Sequence, residues 1–333
     1  EQALAEAIHS VVRFLLAIGL VYFGFNLYGV VFAYIIAPLF ALLFVWKTIS
    51  LEKSREVFPI ITLLKFSLPI TVYYGALMLA MDAGLFLIKS QLDDAALPGY
   101  YTAASTLAKI TFSLLSALPL TLLPSVSKAV AENNLFLVKK YVALSLRYSL
   151  MLLIPLGVLI YGYAEQILSL FYPNEFIVAG NALRILIIGH GFFALFFLLS
   201  SVLSGAGRHV FAMIIALVSL LAAFISGLIF IPRYGLEGAA LATLFAGLIG
   251  FIACLIQTFS LFNISGKFVP WQSFIRIILA TAPLFFLIRL LPAKGIGLLL
   301  YSTLLFILYI LLLWLMREFN AEDKKLFYFW RKH

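Results

Sequence analysis

Apolar runs of about 20 residues follow one another along nearly the whole chain, and a run of that length crosses the roughly 30 Å of bilayer hydrocarbon as one helix. Ten stand at about 8–25, 28–48, 66–90, 99–123, 142–162, 177–203, 209–231, 235–262, 274–291 and 295–316. Composition closes off the soluble alternative. Of 333 residues, 64% are hydrophobic and 11% charged, with a mean hydropathy of +1.12, whereas soluble domains are about half apolar and a quarter charged. One water-soluble core cannot take up so much apolar surface. With 21 glycines and a single cysteine, Cys254, in an apolar stretch, the chain is neither collagen-like nor a disulfide scaffold. The expectation is an all-α integral membrane protein of about ten transmembrane helices.

Several joins are tight, as at 26–29, 204–209 and 232–235, and the longest (49–65, 124–141 and 163–176) are too short for a soluble domain. None holds a G-x-x-x-x-G-K phosphate loop, so nucleotide hydrolysis is not expected. The net charge is +9. Fifteen Lys and Arg, among them Lys53, Arg55, Lys128, Arg276, Lys324 and Lys332, lie on one set of alternate joins and the C-terminal tail, against four, Lys89, Arg233, Arg289 and Lys294, on the other. Cytoplasmic loops carry the excess of basic residues, which places the first set and the C-terminus in the cytoplasm. Topology thus accounts for the positive charge, and no nucleic-acid partner is required.

Two stretches resemble each other. Residues 19–39 run Gly-Leu-Val-Tyr-Phe to Tyr28-Gly29 and an apolar run, and 227–247 run Gly-Leu-Ile-Phe-Ile to Tyr234-Gly235 and another; the Tyr-Gly pairs are 206 residues apart. Internal repeats are a building principle of secondary transporters, although apolar segments also match by chance. If the repeat holds, the second copy covers six spans to residue 262, the first shows only its last two, and about four spans would precede Glu1.

Ionisable groups inside hydrocarbon cost at least about 2.5–3.5 kcal/mol and face a partner or a watery cavity. Lys109 lies ten residues past Gly99, about 15 Å in at 1.5 Å per residue. Thr102, Ser105, Thr106, Ser113 and Ser116 accompany it at helical spacing. Such a stripe suits a helix lining an aqueous cleft, or helix–helix hydroxyl contacts with a snorkelling lysine. Asp82, on a row with Thr71, Gly75 and Met78, has Lys109 or Arg184 as its expected partner and reads as a structural ion pair or a cation-coupling carboxylate. Arg184 shares a face with Asn181 and reads as an anion-binding group or a snorkelling one. Arg147 is expected to snorkel, and His190 to be a hydrogen-bonded packing residue outside the site. The aromatic residues are expected to serve interface and packing, with Tyr100, Tyr101, Tyr161, Tyr163 and Tyr172 at external ends of the spans.

The order of motifs resembles the polysaccharide transporter branch of the multidrug/oligosaccharidyl-lipid/polysaccharide (MOP) flippase superfamily. It runs through Phe66-Ser-Leu-Pro69 with Asp82, Gly99-Tyr-Tyr-Thr-Ala-Ala104, Leu123-Pro-Ser125, Tyr172-Pro173, Leu203-Ser-Gly-Ala-Gly-Arg208 and Pro232-Arg-Tyr-Gly-Leu-Glu-Gly238 to Thr243. The resemblance covers about residues 60–262. It implies two six-helix lobes around a V-shaped cleft: residues 1–59 would end the first lobe, 60–262 form the second, and 263–333 add two helices and a basic tail. It also implies export of lipid-linked oligosaccharide, a polyprenyl-pyrophosphate sugar, across the cytoplasmic membrane, in company with polymerase or glycosyltransferase machinery. Lys109 and Arg184 would then receive the acidic headgroup and Asp82 act as partner or coupling group.

Two other classes remain. A multidrug or cation antiporter of the related branch would need carboxylates for its cargo, and one clearly embedded carboxylate against two cations favours an anion instead. A membrane glycosyl- or acyltransferase needs catalytic carboxylates or histidines at a membrane face, for which Asp93, Asp94 and His209 are thin candidates. No enzymatic activity, cofactor or metal is expected.

Overall fold

The structure, a computed structural model, describes residues 2–48, 60–268, 270–291 and 295–319. Lys53, Arg55, Lys294 and the basic residues of the tail beyond 319 lie outside them. The described residues are almost wholly helical. Eight helical stretches are long and apolar enough to cross a membrane, and two of these fold back on themselves, which gives ten crossings among the described residues. The protein is a multi-pass membrane protein.

The chain divides into two compact units, Glu1–Thr62 and Leu63–His333. The first is an antiparallel pair, α1 (Gln2–Leu20) and α2 (Asn26–Thr48). Arg13 stacks on the Tyr34 ring at 5.0 Å across the pair. Where burial is described, only Gly29, Ala33 and Ala37 are buried in this unit; residues such as Phe14, Tyr22 and Leu43 stand exposed.

In the second unit α3 (Ile60–Gln91) leads into α4 (Leu97–Leu115) and α5 (Ala117–Ala131), which continue one another through a break at Ser116. Next come α6 (Leu135–Gly162), a short α7 (Ala164–Phe171) and α8 (Gly180–Gly205). The segment 163–176, read above as a link, is therefore partly helical, held down by buried Ala164 and Leu168. α9 (His209–Phe262) bends back at Gly235, and its arms 209–234 and 236–262 are joined by a hydrogen bond from Ser219 Oγ to the Ala246 carbonyl at 2.8 Å. α10 (Trp271–Leu290) and α11 (Ile296–Leu315) close the fold. α8 is its axis: most of its residues are buried, and Gly189 and Gly247 let its backbone approach the second arm of α9 so closely that a Cβ on Gly247 would sit 2.7 Å from the Gly189 carbonyl oxygen.

The repeat reappears as geometry, in a different register. Asn26 (φ 46, ψ −129) and Gly235 (φ 55, ψ −125) make the same turn. Three residues on, Gly29 and Gly238 each lie against the preceding arm, at Leu20 and Phe230. The small buried residues then match pairwise: Gly29, Ala33 and Ala37 with Gly238, Ala242 and Ala246. The offset is thus 209 residues rather than 206, since the Tyr-Gly pairs occupy different places in the two turns. A φ near +50 suits glycine, and asparagine is among the few other residues that adopt it.

One further expectation is corrected. Arg147 does not snorkel: it is 4% exposed, and its Nε donates to Glu318 Oε1 at 2.7 Å while Nη2 donates to the Glu318 carbonyl. Arg276 of α10 reaches the other carboxylate oxygen at 3.2 Å, so one buried glutamate ties α6, α10 and the end of α11 together. Of the aromatic residues at span ends, Tyr101 and Tyr163 serve packing: both are buried, and their hydroxyls bond Thr243 Oγ1 (3.0 Å) and the Leu291 carbonyl (3.1 Å).

Candidate functional site

Pro98 at the start of α4 fixes φ where no intrahelical N–H bond is needed, and from there the helix carries Thr102, Thr106, Lys109 and Ser113 on one face. The three hydroxyl residues are exposed and Lys109 is half-buried. On α3, Thr71, Gly75 and Met78 are exposed and Asp82 is half-buried at the end of the same row. The two rows meet where Lys109 Nζ donates to Asp82 Oδ1 at 2.5 Å, with side chains 34% and 36% exposed. Of the two partners expected for Asp82, the structure selects Lys109.

This pairing settles the electrostatics of the surface. Either charge alone would be costly at that depth, and together they cancel. An ammonium has three N–H donors, and one goes to Asp82, which leaves donors for an incoming anion. Thr102 Oγ1 donates to the Pro98 carbonyl (2.7 Å) and Thr106 Oγ1 to the Thr102 carbonyl (2.8 Å), so both turn lone pairs outward as acceptors. Ser105 is different: it is 3% exposed, its Oγ has no hydrogen-bond partner, and it lines the same small depression of about 200 Å³ as Asp82 and Lys109. The ammonium's donors thus stand beside hydroxyl acceptors.

Arg184 and Asn181 are elsewhere. Arg184 donates to Asn181 Oδ1 (2.6 Å), to Glu165 Oε1 (2.9 Å) and to the Tyr161 carbonyl (3.3 Å), and Asn181 Nδ2 donates to Glu237 Oε1 at 2.9 Å. They border a cavity of about 660 Å³ between α6, α8 and α10, together with Arg289. The depression at Lys109 and this cavity share no lining residue. Of the seven residues singled out from the sequence, the structure therefore groups Asp82, Thr102, Ser105 and Lys109 around one depression, sets Ser113 one turn further along the exposed face, and puts Asn181 and Arg184 in a second cluster.

His190, set aside above as a hydrogen-bonded packing residue, is fully buried, with neither ring nitrogen bonded, and within electrostatic range of Lys109. A charged or polar residue in an apolar run was the available signal, and it was present for His190. For Glu165, Glu237 and Glu318 there was none, because each sits at a helix end where carboxylates are unremarkable. Among the described residues no group of His, Cys, Asp and Glu could hold a metal ion.

Comparison with known proteins gives the family and the fold. The family model for polysaccharide biosynthesis proteins matches residues 1–180. An uncharacterised membrane protein of Methanocaldococcus jannaschii is 27% identical over 264 residues, which are 75% of this chain and 61% of that protein; the chain spans about three fifths of its length. Among solved structures, the lipid II flippase MurJ in an inward closed conformation matches with a TM-score of 0.73 at 18% identity, over 96% of this chain and 67% of that one. An inward-facing MATE family multidrug-resistance transporter of the MOP superfamily matches with a TM-score of 0.62 at 16% identity, over 79% and 65%. The chain belongs to the polysaccharide biosynthesis protein family and has the all-helical fold of MOP-superfamily transporters.

Proposed function

We propose that the chain works in a flippase that carries a lipid-linked oligosaccharide across the cytoplasmic membrane by alternating access. The observation that carries this reading is the Lys109–Asp82 pair on the hydroxyl-bearing, open face of α3 and α4. The task is to move a polar, anionic headgroup through about 30 Å of hydrocarbon while the lipid tail stays outside. Asp82 holds the ammonium in place, its remaining N–H groups receive a phosphate oxygen, and Thr102, Thr106 and Ser113 accept hydrogen bonds from sugar hydroxyls. We place Arg184 and Asn181 outside this surface, since their donors serve Glu165 and Glu237. In this reading residues 1–59 supply two helices of one lobe, 60–262 the other lobe, and 263–333 an added pair and a cytoplasmic tail. Polysaccharide polymerase or glycosyltransferases are the partners that would supply and consume the cargo.

Lys109→Ala should abolish export and leave lipid-linked sugar on the cytoplasmic side, while Lys109→Arg should retain part of it. Normal export by Lys109→Ala protein present at ordinary levels in the membrane would overturn the reading. The embedded carboxylate of Asp82 supports a second reading, a cation or drug antiporter. There Asp82→Asn would remove drug efflux and leave sugar export untouched.

A further inference from the structure

The cavity beside Arg184 is not an isolated hole. Tyr161 and Phe285 line both it and an apolar groove of about 880 Å³ that runs between α6, α8 and α10. The two hollows share these walls, one cationic and one greasy, and form adjoining ends of one recess along α6, α8 and α10. At the cationic end Arg289, in the last turn of α10, lies over the Phe285 ring at 5.1 Å, is exposed, and makes no ion pair among the described residues. Arg184 brings a second guanidinium with two of its five N–H groups uncommitted to Asn181, Glu165 or Tyr161. Glu165 offsets the charge of Arg184, so Arg289 supplies the surplus positive charge. At the greasy end Gly157 of α6 and Gly191 of α8 both line the groove, and a Cβ on either would meet nothing within 4 Å. Ile188 and Phe285 stand 45% and 38% exposed there. The recess is dug out where any side chain would have filled it.

We propose that this recess binds one anionic membrane phospholipid, with its phosphate between Arg289 and Arg184 and an acyl chain in the groove past Gly157 and Gly191. Arginine pairs phosphate oxygens in bidentate fashion. The recess shares no lining residue with the Lys109 depression, so the occupant proposed is a resident lipid, with the cargo as the outcome that the polyprenyl pyrophosphate arm below tests. Bound there, it would bridge α10 to the six-helix part of the fold.

The test is native mass spectrometry of the whole purified chain titrated with phosphatidylglycerol, phosphatidylcholine or a polyprenyl pyrophosphate. One phosphatidylglycerol should be retained. Arg289→Ala should cut retention about fivefold or more, and Gly157→Leu, which fills the groove and leaves the charges alone, should cut it similarly. Gly191→Leu serves in place of Gly157→Leu if that chain does not fold. Phosphatidylcholine should be held no better by the native chain than by Arg289→Ala. Retention unchanged in the variants, or displacement of phosphatidylglycerol by equimolar polyprenyl pyrophosphate, would overturn the proposal. Neither result bears on whether Lys109 carries the cargo.

Discussion

Replacing Glu318 with leucine should loosen α11 more than any other change in that part of the molecule. Its carboxylate is wholly buried between Arg147, 5% exposed by side chain, and Arg276, 36% exposed. Removing one partner of a buried ion pair costs about 3–5 kcal/mol, because the other charge stays buried without it. The lower figure applies here: Arg147 keeps its bond to the backbone carbonyl of residue 318, and Arg276 can turn to water. Three kcal/mol is about a hundredfold in an equilibrium constant. α11 otherwise rests on α10 and α6 through a shared apolar cluster that holds Leu305, Tyr309 and Leu313, the Tyr309 hydroxyl donating to the Met151 carbonyl at 2.8 Å, so the loss should appear as local opening. Hydrogen exchange of amides 300–315 in detergent should accelerate roughly 10²-fold, with little change in the second arm of α9. Adding Arg147→Met should restore most of the protection, since an apolar pair can replace a buried ionic one at little cost. Unchanged exchange in Glu318→Leu, or a double variant no better than the single one, would refute the latch.

Two other substitutions test packing. Gly238→Ala drives a methyl into the Phe230 carbonyl at the α9 turn and should cost about 3 kcal/mol or more; Gly75→Ala, with open space around it, should be neutral or better, as read from the thermal exposure of buried Cys254 to a fluorogenic maleimide. His190→Leu removes two buried nitrogens that bond nothing and should raise that melting midpoint, by up to about 3 kcal/mol in stability; a lower midpoint would show that the imidazole has a bonding partner in the native protein.

The spans were readable because in hydrocarbon length and apolarity alone decide where a helix crosses. The partnership of Asp82 and Lys109 was readable for a related reason: two embedded charges on successive spans must meet each other or water. The Arg147–Glu318 pair was not, since its members are 171 residues apart, and a glutamate just past the end of a span carries no sign of burial. The repeat was recognised and misaligned, because side-chain identity at Tyr28 and Tyr234 outweighed what the turn requires, a residue that tolerates positive φ. Once Asn26 is set against Gly235, the small residues that let the arms touch fall into line. Arg184 was assigned to the same cleft as Lys109 because a single sequence does not reveal which way a helix face points, and α8 turns that residue toward α6 and α10.

The cancellation of Asp82 by Lys109 has an electrical consequence. A membrane potential does about 2.3 kcal/mol of work per elementary charge per 100 mV, yet two opposite charges held at one depth travel as a dipole of almost no net valence. Displacing this pair across the field would be nearly voltage-blind, so in the flippase proposed above any potential dependence of turnover would report the cargo's charge rather than the helices that carry the pair.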